Sequence, residues 1–126
     1  MISTSLAGRS ILIAEDEPLI ALDVAAICEA AGASTMAAST VRKAIRLAET
    51  KGLSAAVIDF AFPDGEADEL RACLTQRGVP YVLYSGYTYP EGAVADALVV
   101  QKPATHEQLV GALVQVMNER ATKPLA

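Results

Sequence analysis

Five residues at four places in the chain could act together on a phosphoryl group. They are the adjacent acids Glu15 and Asp16, then Asp59, Ser85 and Lys102. Carboxylates can hold a hard divalent cation such as Mg2+, which takes oxygen ligands and keeps several waters. A carboxylate can also attack phosphorus and become an aspartyl phosphate. A hydroxyl and an ammonium can then stabilise the charge on the transferring oxygens. In this reading Asp59 is the phosphoacceptor, and Ser85 and Lys102 serve the oxygens. Asp16 and Asp59 hold Mg2+ directly, with Glu15 acting through a water. Each residue alone has a plainer explanation. Acids favour the start of a following helix, and Glu17 is read that way. An aspartate at a strand end forms turns, a serine beside Gly86 can do the same, and a lone lysine can be a surface cation. Their conjunction argues for chemistry.

The spacing of apolar residues says what must position these groups. Each candidate closes a short apolar run of strand character: Ser10 to Ala14, Ala55 to Ile58, a run from about Val79 to Tyr84, and Leu98 to Val100. Helical periodicity separates the runs. Pro18 suits a first helical turn, and Leu19, Ile20, Val24, Ile27 and Cys28 recur at helical spacing up to Gly32. A weak strand over Ser34 to Ala38 follows. Thr40 is a good N-cap for a helix carrying Val41, Ala44, Ile45 and Ala48. Phe60 to Gly65 is turn chemistry, and Leu70, Cys73 and Leu74 mark the next helix. Tyr87 to Gly92 is poor helix material, so only a short helix over Ala93 to Ala97 is expected, in the most mobile part of the domain. Thr105 and Gln108 make a capping box for a last helix with Leu109, Leu113, Val116 and Met117. Five β-then-α units predict a parallel sheet with helices on both faces, and hence all four strand ends at one edge.

A chain of 126 residues, 52% hydrophobic, suits one domain. Its core is expected over about 10–117, with 1–8 and 121–126 as loose ends and no room for a DNA-binding or enzymatic output domain. The net charge of −5 argues against a nucleic-acid surface. Arg42, Lys43, Arg46 and Lys51 read as the solvated face of a helix. Cys28 and Cys73 lack ligand-type spacing and read as free thiols in a reducing cytosol. The first apolar run is too short for a secretory signal, and nothing approaches a membrane span. A cytoplasmic location is therefore expected. Lys102-Pro103 is a candidate cis peptide. His106, the single histidine, is placed inside the capping box and away from the acidic strand ends, without a catalytic role.

In this order and spacing, Glu15-Asp16, Asp59, Ser85-Gly86 and Lys102-Pro103 resemble a bacterial response-regulator receiver domain across almost the whole chain. The resemblance implies a flavodoxin-like (βα)5 doubly wound sheet in strand order 2-1-3-4-5. It implies phosphorylation of Asp59 by a sensor histidine kinase or a histidine phosphotransfer protein, and Mg2+ held by Asp16, Asp59 and the Ala61 backbone carbonyl. The short Asp59–Gly65 loop and the run Pro80-Tyr81-Val82-Leu83-Tyr84-Ser85-Gly86-Tyr87 are similar to the P-F-x-F-A-T-G-Y signature of the alphaproteobacterial "FAT GUY" receivers. Tyr84 stands where that group has a small residue, and Ser85 where it has threonine. Receivers typically place a Tyr or Phe three residues before the lysine. Val99 occupies that position here, so Tyr84 or Tyr87 would have to supply any aromatic switch.

The functional expectation is a stand-alone receiver that acts through protein contacts or as a phosphate sink. Ala61 cannot orient a hydrolytic water and Tyr87 is large enough to shield the phosphoryl group, so slow self-dephosphorylation is expected. Two other readings exist. A degenerate receiver would act as a phosphorylation-independent adaptor, but the acid, hydroxyl and lysine set is intact. A small α/β phosphatase with an aspartyl nucleophile would place that nucleophile after strand one with a second acid two residues on, a pattern Glu15-Asp16-Glu17 does not fit.

Overall fold

The computed structural model describes residues 5–86 and 97–122. Strand β1 covers Ser10–Ala14 and is followed by helix α1, Pro18–Ala30. Strand β2, Ser34–Ala38, and helix α2, Val41–Ala48, come next. Strand β3, Ala55–Ile58, leads into a small hairpin of β4, Ala61–Phe62, and β5, Gly65–Glu66. Helix α3 is Asp68–Gln76, strand β6 is Tyr81–Ser85, strand β7 is Leu98–Gln101, and helix α4 is His106–Thr122.

The main sheet has the order β2-β1-β3-β6-β7, with every pairing parallel. This is the parallel sheet predicted from the alternation, in the flavodoxin-like order that the resemblance implies, with the hairpin strands β4 and β5 lying outside it. Alternate side chains of each strand face opposite sides, and the core divides accordingly. Ile11, Ile13, Val57, Val82 and Tyr84 pack against Val24, Ile27 and Cys28 of α1 and Leu109, Leu113 and Val116 of α4. Leu12, Ala14, Ala56, Ile58 and Leu83 pack against Val41, Ala44 and Ala48 of α2 and Leu70 and Leu74 of α3. With both faces covered, the strands need not alternate polar and apolar residues, which is why they read as nearly continuous apolar runs.

The helix ends follow local chemistry. Glu17 caps α1 through its side chain, which accepts from the Leu19 N–H, with Pro18 in the first turn. The Thr40 hydroxyl accepts from Lys43 N–H at 3.2 Å. The capping box of α4 is reciprocal: Thr105 N–H donates to Gln108 Oε1 at 2.9 Å, and Gln108 N–H donates to Thr105 Oγ1 at 3.1 Å. Strand β6 starts at Tyr81 rather than near Val79, because Val79 N–H is used to close α3 on Leu74 O at 2.9 Å. The short helix and mobile segment expected over Tyr87–Ala97 fall on 87–96, outside the described residues.

One expectation is corrected. The lead-in to β1 is not loose over its described part. Leu6 is fully buried within the α1/α4 cluster, and its N–H donates to Ala31 O at 2.9 Å. Gly32 makes this approach possible, since a Cβ there would lie 2.9 Å from Ala7 Cα, and its φ of 101° already favours glycine. At the other end α4 continues to Thr122, past the expected core limit at 117. The packing of Leu6 gives a direct test. Leu6→Ala removes a core side chain and is expected to cost about 2–5 kcal/mol of unfolding free energy in urea titrations. An unchanged midpoint would show that the lead-in contributes nothing.

Candidate functional site

Strand register brings the sequence candidates to one edge. Ala14 pairs with Ile58, so Glu15 and Asp59 emerge side by side. Ile58 pairs with Leu83, and Ser85 pairs with Gln101, so Lys102 leaves β7 level with the end of β6. Lys102 N–H donates to Ser85 O at 2.6 Å and holds the two strand ends together. The Lys102-Pro103 bond is cis, as expected.

The Lys102 ammonium is the hub. It donates to Glu15 Oε2 at 3.0 Å and Oε1 at 3.2 Å, and to Asp59 Oδ2 at 3.4 Å. The other Asp59 oxygen, Oδ1, accepts from Phe60 N–H at 2.7 Å. Glu15 is buried, Asp59 half-buried and Asp16 exposed. Burial pushes the Glu15 carboxyl up to about 6; Lys102 opposes the rise and Asp59 adds to it. Burial alone would lower the Lys102 ammonium. The hydrogen bond to Glu15 and the charges of Asp59 and Glu15 outweigh it and leave Lys102 above its ordinary value.

Glu15, Asp16 and Asp59 each offer a carboxylate oxygen within 4.8 Å of the others. Three carboxylates facing one ammonium leave an excess of negative charge at this edge. An oxygen-only donor set with that excess fits a hard divalent cation such as Mg2+. Exposed Asp16 is free to approach an ion, whereas Glu15 is occupied by Lys102.

Ser85 is buried at the end of β6, and Gly86 beside it is exposed with open space where a Cβ would be. Ala61 lies in β4, two residues past Asp59, and is exposed. Tyr87 lies outside the described residues. His106 opens α4 at the same edge of the sheet as the acids. This corrects the expectation that it faces away, because a helix following β7 must begin where β7 ends. It is exposed and takes part in none of the hydrogen bonds of the cluster. Arg42, Lys43, Arg46 and Lys51 are exposed on α2 and just beyond it, as predicted. Cys28 is a buried free thiol that burial pushes up to about 12, and Cys73 is free and half-buried. Among the described residues no helix is long and apolar enough to cross a membrane.

Two contacts of the site were not read from the sequence. Tyr84 packs behind Lys102, a pairing set by the sheet order rather than by spacing. Asp64 was read only as a turn residue, yet it ties the β4–β5 hairpin to α2. Its Oδ1 accepts from Val41 N–H at 2.8 Å and its Oδ2 from Arg42 N–H at 3.1 Å. Those are free donors of the first helical turn. The acceptor lies more than twenty positions along the chain, beyond any local capping motif.

No family model and no curated protein matches the chain. Its fold does match solved structures. A response regulator receiver protein from Sinorhizobium medicae WSM419 is 29% identical, with TM-score 0.76 over 89% of this chain and 96% of that one. A CheY-like response regulator receiver domain from Methanospirillum hungatei JF-1 gives TM-score 0.80 at 24% identity, over 92% of this chain and 98% of that one. The receiver domain of a sensor histidine kinase from Pseudomonas aeruginosa PAO1, with a magnesium ion in its active-site cleft, gives TM-score 0.75 at 22% identity, over 89% and 99%. The chain therefore has the receiver-domain fold.

The Asp64 contact sets a pH-dependent expectation. The hydrogen bond from Val41 N–H, helped by that from Arg42, holds its carboxyl below the ordinary 3.8. The folded state thus prefers the ionised form. This stabilisation is complete above the unfolded value and is lost as pH falls through the lower folded value. Asp64→Asn should be less stable than wild type in urea at pH 7, and the difference should shrink below about pH 4. A difference that stays constant to pH 3 would remove the charged cap from the account.

Proposed function

We propose that this chain is a two-component receiver that takes a phosphoryl group onto Asp59 and signals through protein contacts. The observation that carries this reading is the Lys102 ammonium shared by Glu15 and Asp59, with Asp16 beside them, at the carboxyl edge of a parallel sheet. An Asp59 carboxylate oxygen attacks phosphorus and the new P–O bond forms. The P–N bond of a donor phosphohistidine breaks, and the imidazole leaves with its electron pair. Lys102 and the Ser85 hydroxyl meet the charge on the transferring oxygens. Asp16, Asp59 and the Ala61 carbonyl would hold Mg2+, with Glu15 acting through water. The ion would supply further charge neutralisation between the carboxylate and the incoming phosphoryl group.

The donor is a histidine kinase or a histidine phosphotransfer protein, and the setting is the cytoplasm. A protein partner agrees with the surface beside the site. Helix α1 starts next to the acidic pair and exposes Leu19 and Leu22, at 75% and 68%. Large apolar side chains exposed together mark contact surfaces more often than isolated ones do. The short Asp59–Gly65 loop and the Pro80–Tyr87 motif favour the "FAT GUY" group of receivers. A phosphorylation-independent adaptor is the alternative. It gives no reason for a half-buried carboxyl group to be hydrogen-bonded to a lysine beside the open space at Gly86.

Two measurements test this. Incubation with a small acyl phosphate and Mg2+, read by intact mass, should add one phosphoryl group to wild type and none to Asp59→Asn or to chelator-treated protein. Label surviving either treatment would sink the assignment, and absence of label in wild type would favour the adaptor. Steady hydrolysis of a phosphate ester would instead indicate a phosphatase. Separately, Asp16→Asn should raise the Mg2+ concentration for half-maximal phosphorylation by at least about tenfold, the low end for groups that merely orient a metal ligand. Glu15→Gln should raise it less. Equal or reversed effects would mean that the direct and water-mediated roles are exchanged.

A further inference from the structure

We propose that Tyr84 is the positioning residue of Lys102, and through it of the phosphoryl site; this rests on the function proposed above. Tyr84 is the penultimate residue of β6 and is buried at 4% exposure. Its side chain lies on the α1/α4 side of the sheet, the side to which Leu98, Val100 and Ala104 also pack. Its hydroxyl oxygen accepts from Ala104 N–H at 3.0 Å. The Lys102 ammonium lies 5.5 Å from the centre of its ring, within cation–π range.

These contacts have one geometric consequence. The turn after β7 runs Lys102, Pro103, Ala104, and proline has no N–H. The two N–H groups of the turn are both taken by consecutive residues of β6: Lys102 N–H by Ser85 O at 2.6 Å, and Ala104 N–H by the Tyr84 hydroxyl. The lysine backbone is therefore fixed on both sides. The Tyr84 ring then forms an apolar wall beside the same ammonium that bridges the carboxylates of Glu15 and Asp59. A long flexible side chain is confined to the position where it bridges two acids. Alanine or another small residue in place of Tyr84 offers neither the acceptor nor the wall. A catalytic role for the hydroxyl itself is not implied, because it is spent on Ala104 N–H.

Tyr84→Phe keeps the ring and the packing and removes only the acceptor, so the fold should persist. Ala104 N–H then loses its partner and the turn relaxes. In metal-free protein, the Lys102 ε-methylene proton signals should shift, since they report the distance to the ring. At saturating Mg2+, phosphorylation of Asp59 by a small acyl phosphate should slow roughly fivefold, the scale of one hydrogen bond. The Mg2+ concentration for half-maximal rate should not change, because no metal-holding residue is touched. In a Lys102→Met background, Tyr84→Phe should slow the reaction no further, since the residue it positions is gone. A structural role unrelated to Lys102 would cost the same in both backgrounds. Unmoved lysine signals, or equal losses in the two backgrounds, overturn the proposal. If wild type accepts no phosphoryl group, the functional reading fails, yet the lysine signals still decide whether Tyr84 positions Lys102.

Discussion

Charge neutralisation at one edge of the sheet governs the rest of this structure. Glu15, Asp16 and Asp59 place carboxylate oxygens within 4.8 Å of one another. Two unit charges about 4 Å apart repel by roughly 4 kcal/mol at the effective dielectric of a protein surface. Folding would resist such a cluster unless a cation were brought to it. Lys102 is that cation, delivered by the last strand of the sheet more than forty residues from Asp59 and more than eighty from Glu15. One ammonium is still too little for three acids. Burial, with the charge of Asp59 adding to it, holds the Glu15 carboxyl up at about 6, and the residual negative charge leaves the edge suited to a divalent ion.

That constraint explains why the strands must register as they do. Because side-chain direction alternates, a one-residue slip in any strand would turn its terminal acid or lysine to the other face and carry its core residues with it. The two apolar clusters therefore fix the site as well as the fold. Strand β6 shows this coupling in two neighbouring residues. Tyr84 packs into the α1/α4 cluster while Leu83 and the residues in phase with it face α2 and α3, and Ser85 follows at the strand end. The hairpin after Asp59 has no place in that sheet and needs an anchor of its own. Asp64 provides it on the first turn of α2, while Phe62 is buried among the α2 and α3 side chains.

What was legible in the sequence is what depends on short-range pattern. Strands β1, β2 and β3 were read to within a residue, as were the Thr40 cap and the Thr105–Gln108 box, because alternation, apolar runs and capping chemistry act locally. Bringing Glu15, Asp59, Ser85 and Lys102 to one edge was also legible, since parallel strands have their carboxyl ends together. Less visible were contacts set by tertiary packing. Leu6 falls in the stretch 1–8 expected to be a loose end, whereas Gly32 lets Ala7 approach and Leu6 enter the core. The reach of Asp64 to α2 and of Tyr84 to Ala104 depends on sheet order and loop path, which carry no local signature. His106 is different: a helix that follows a parallel strand must start at that strand's carboxyl end, so the sheet topology alone puts it at the site edge.

The aromatic that accompanies the lysine comes from β6 rather than from position 99 of β7. Val99 is half-buried and packs toward the α2/α3 side, whereas Tyr84 lies on the opposite side of the sheet. Tyr84 is poorly suited to rotate as a switch. Swinging its ring outward would strip Ala104 N–H of its acceptor, a hydrogen bond worth about 0.5–1.5 kcal/mol, and would uncover a ring that is only 4% exposed. The movable quantity at this site is instead the pairing of Lys102. A phosphoryl group on Asp59 would bring close to two negative charges beside an ammonium now shared with Glu15. The lysine would turn toward the phosphoryl oxygens. Glu15 would then have to find a metal-bound water or keep a proton, both of which its burial favours over standing ionised alone. Exchange of partners by a Lys102 ammonium on a fixed backbone, rather than rotation of a ring, is the change of state that this arrangement of residues allows.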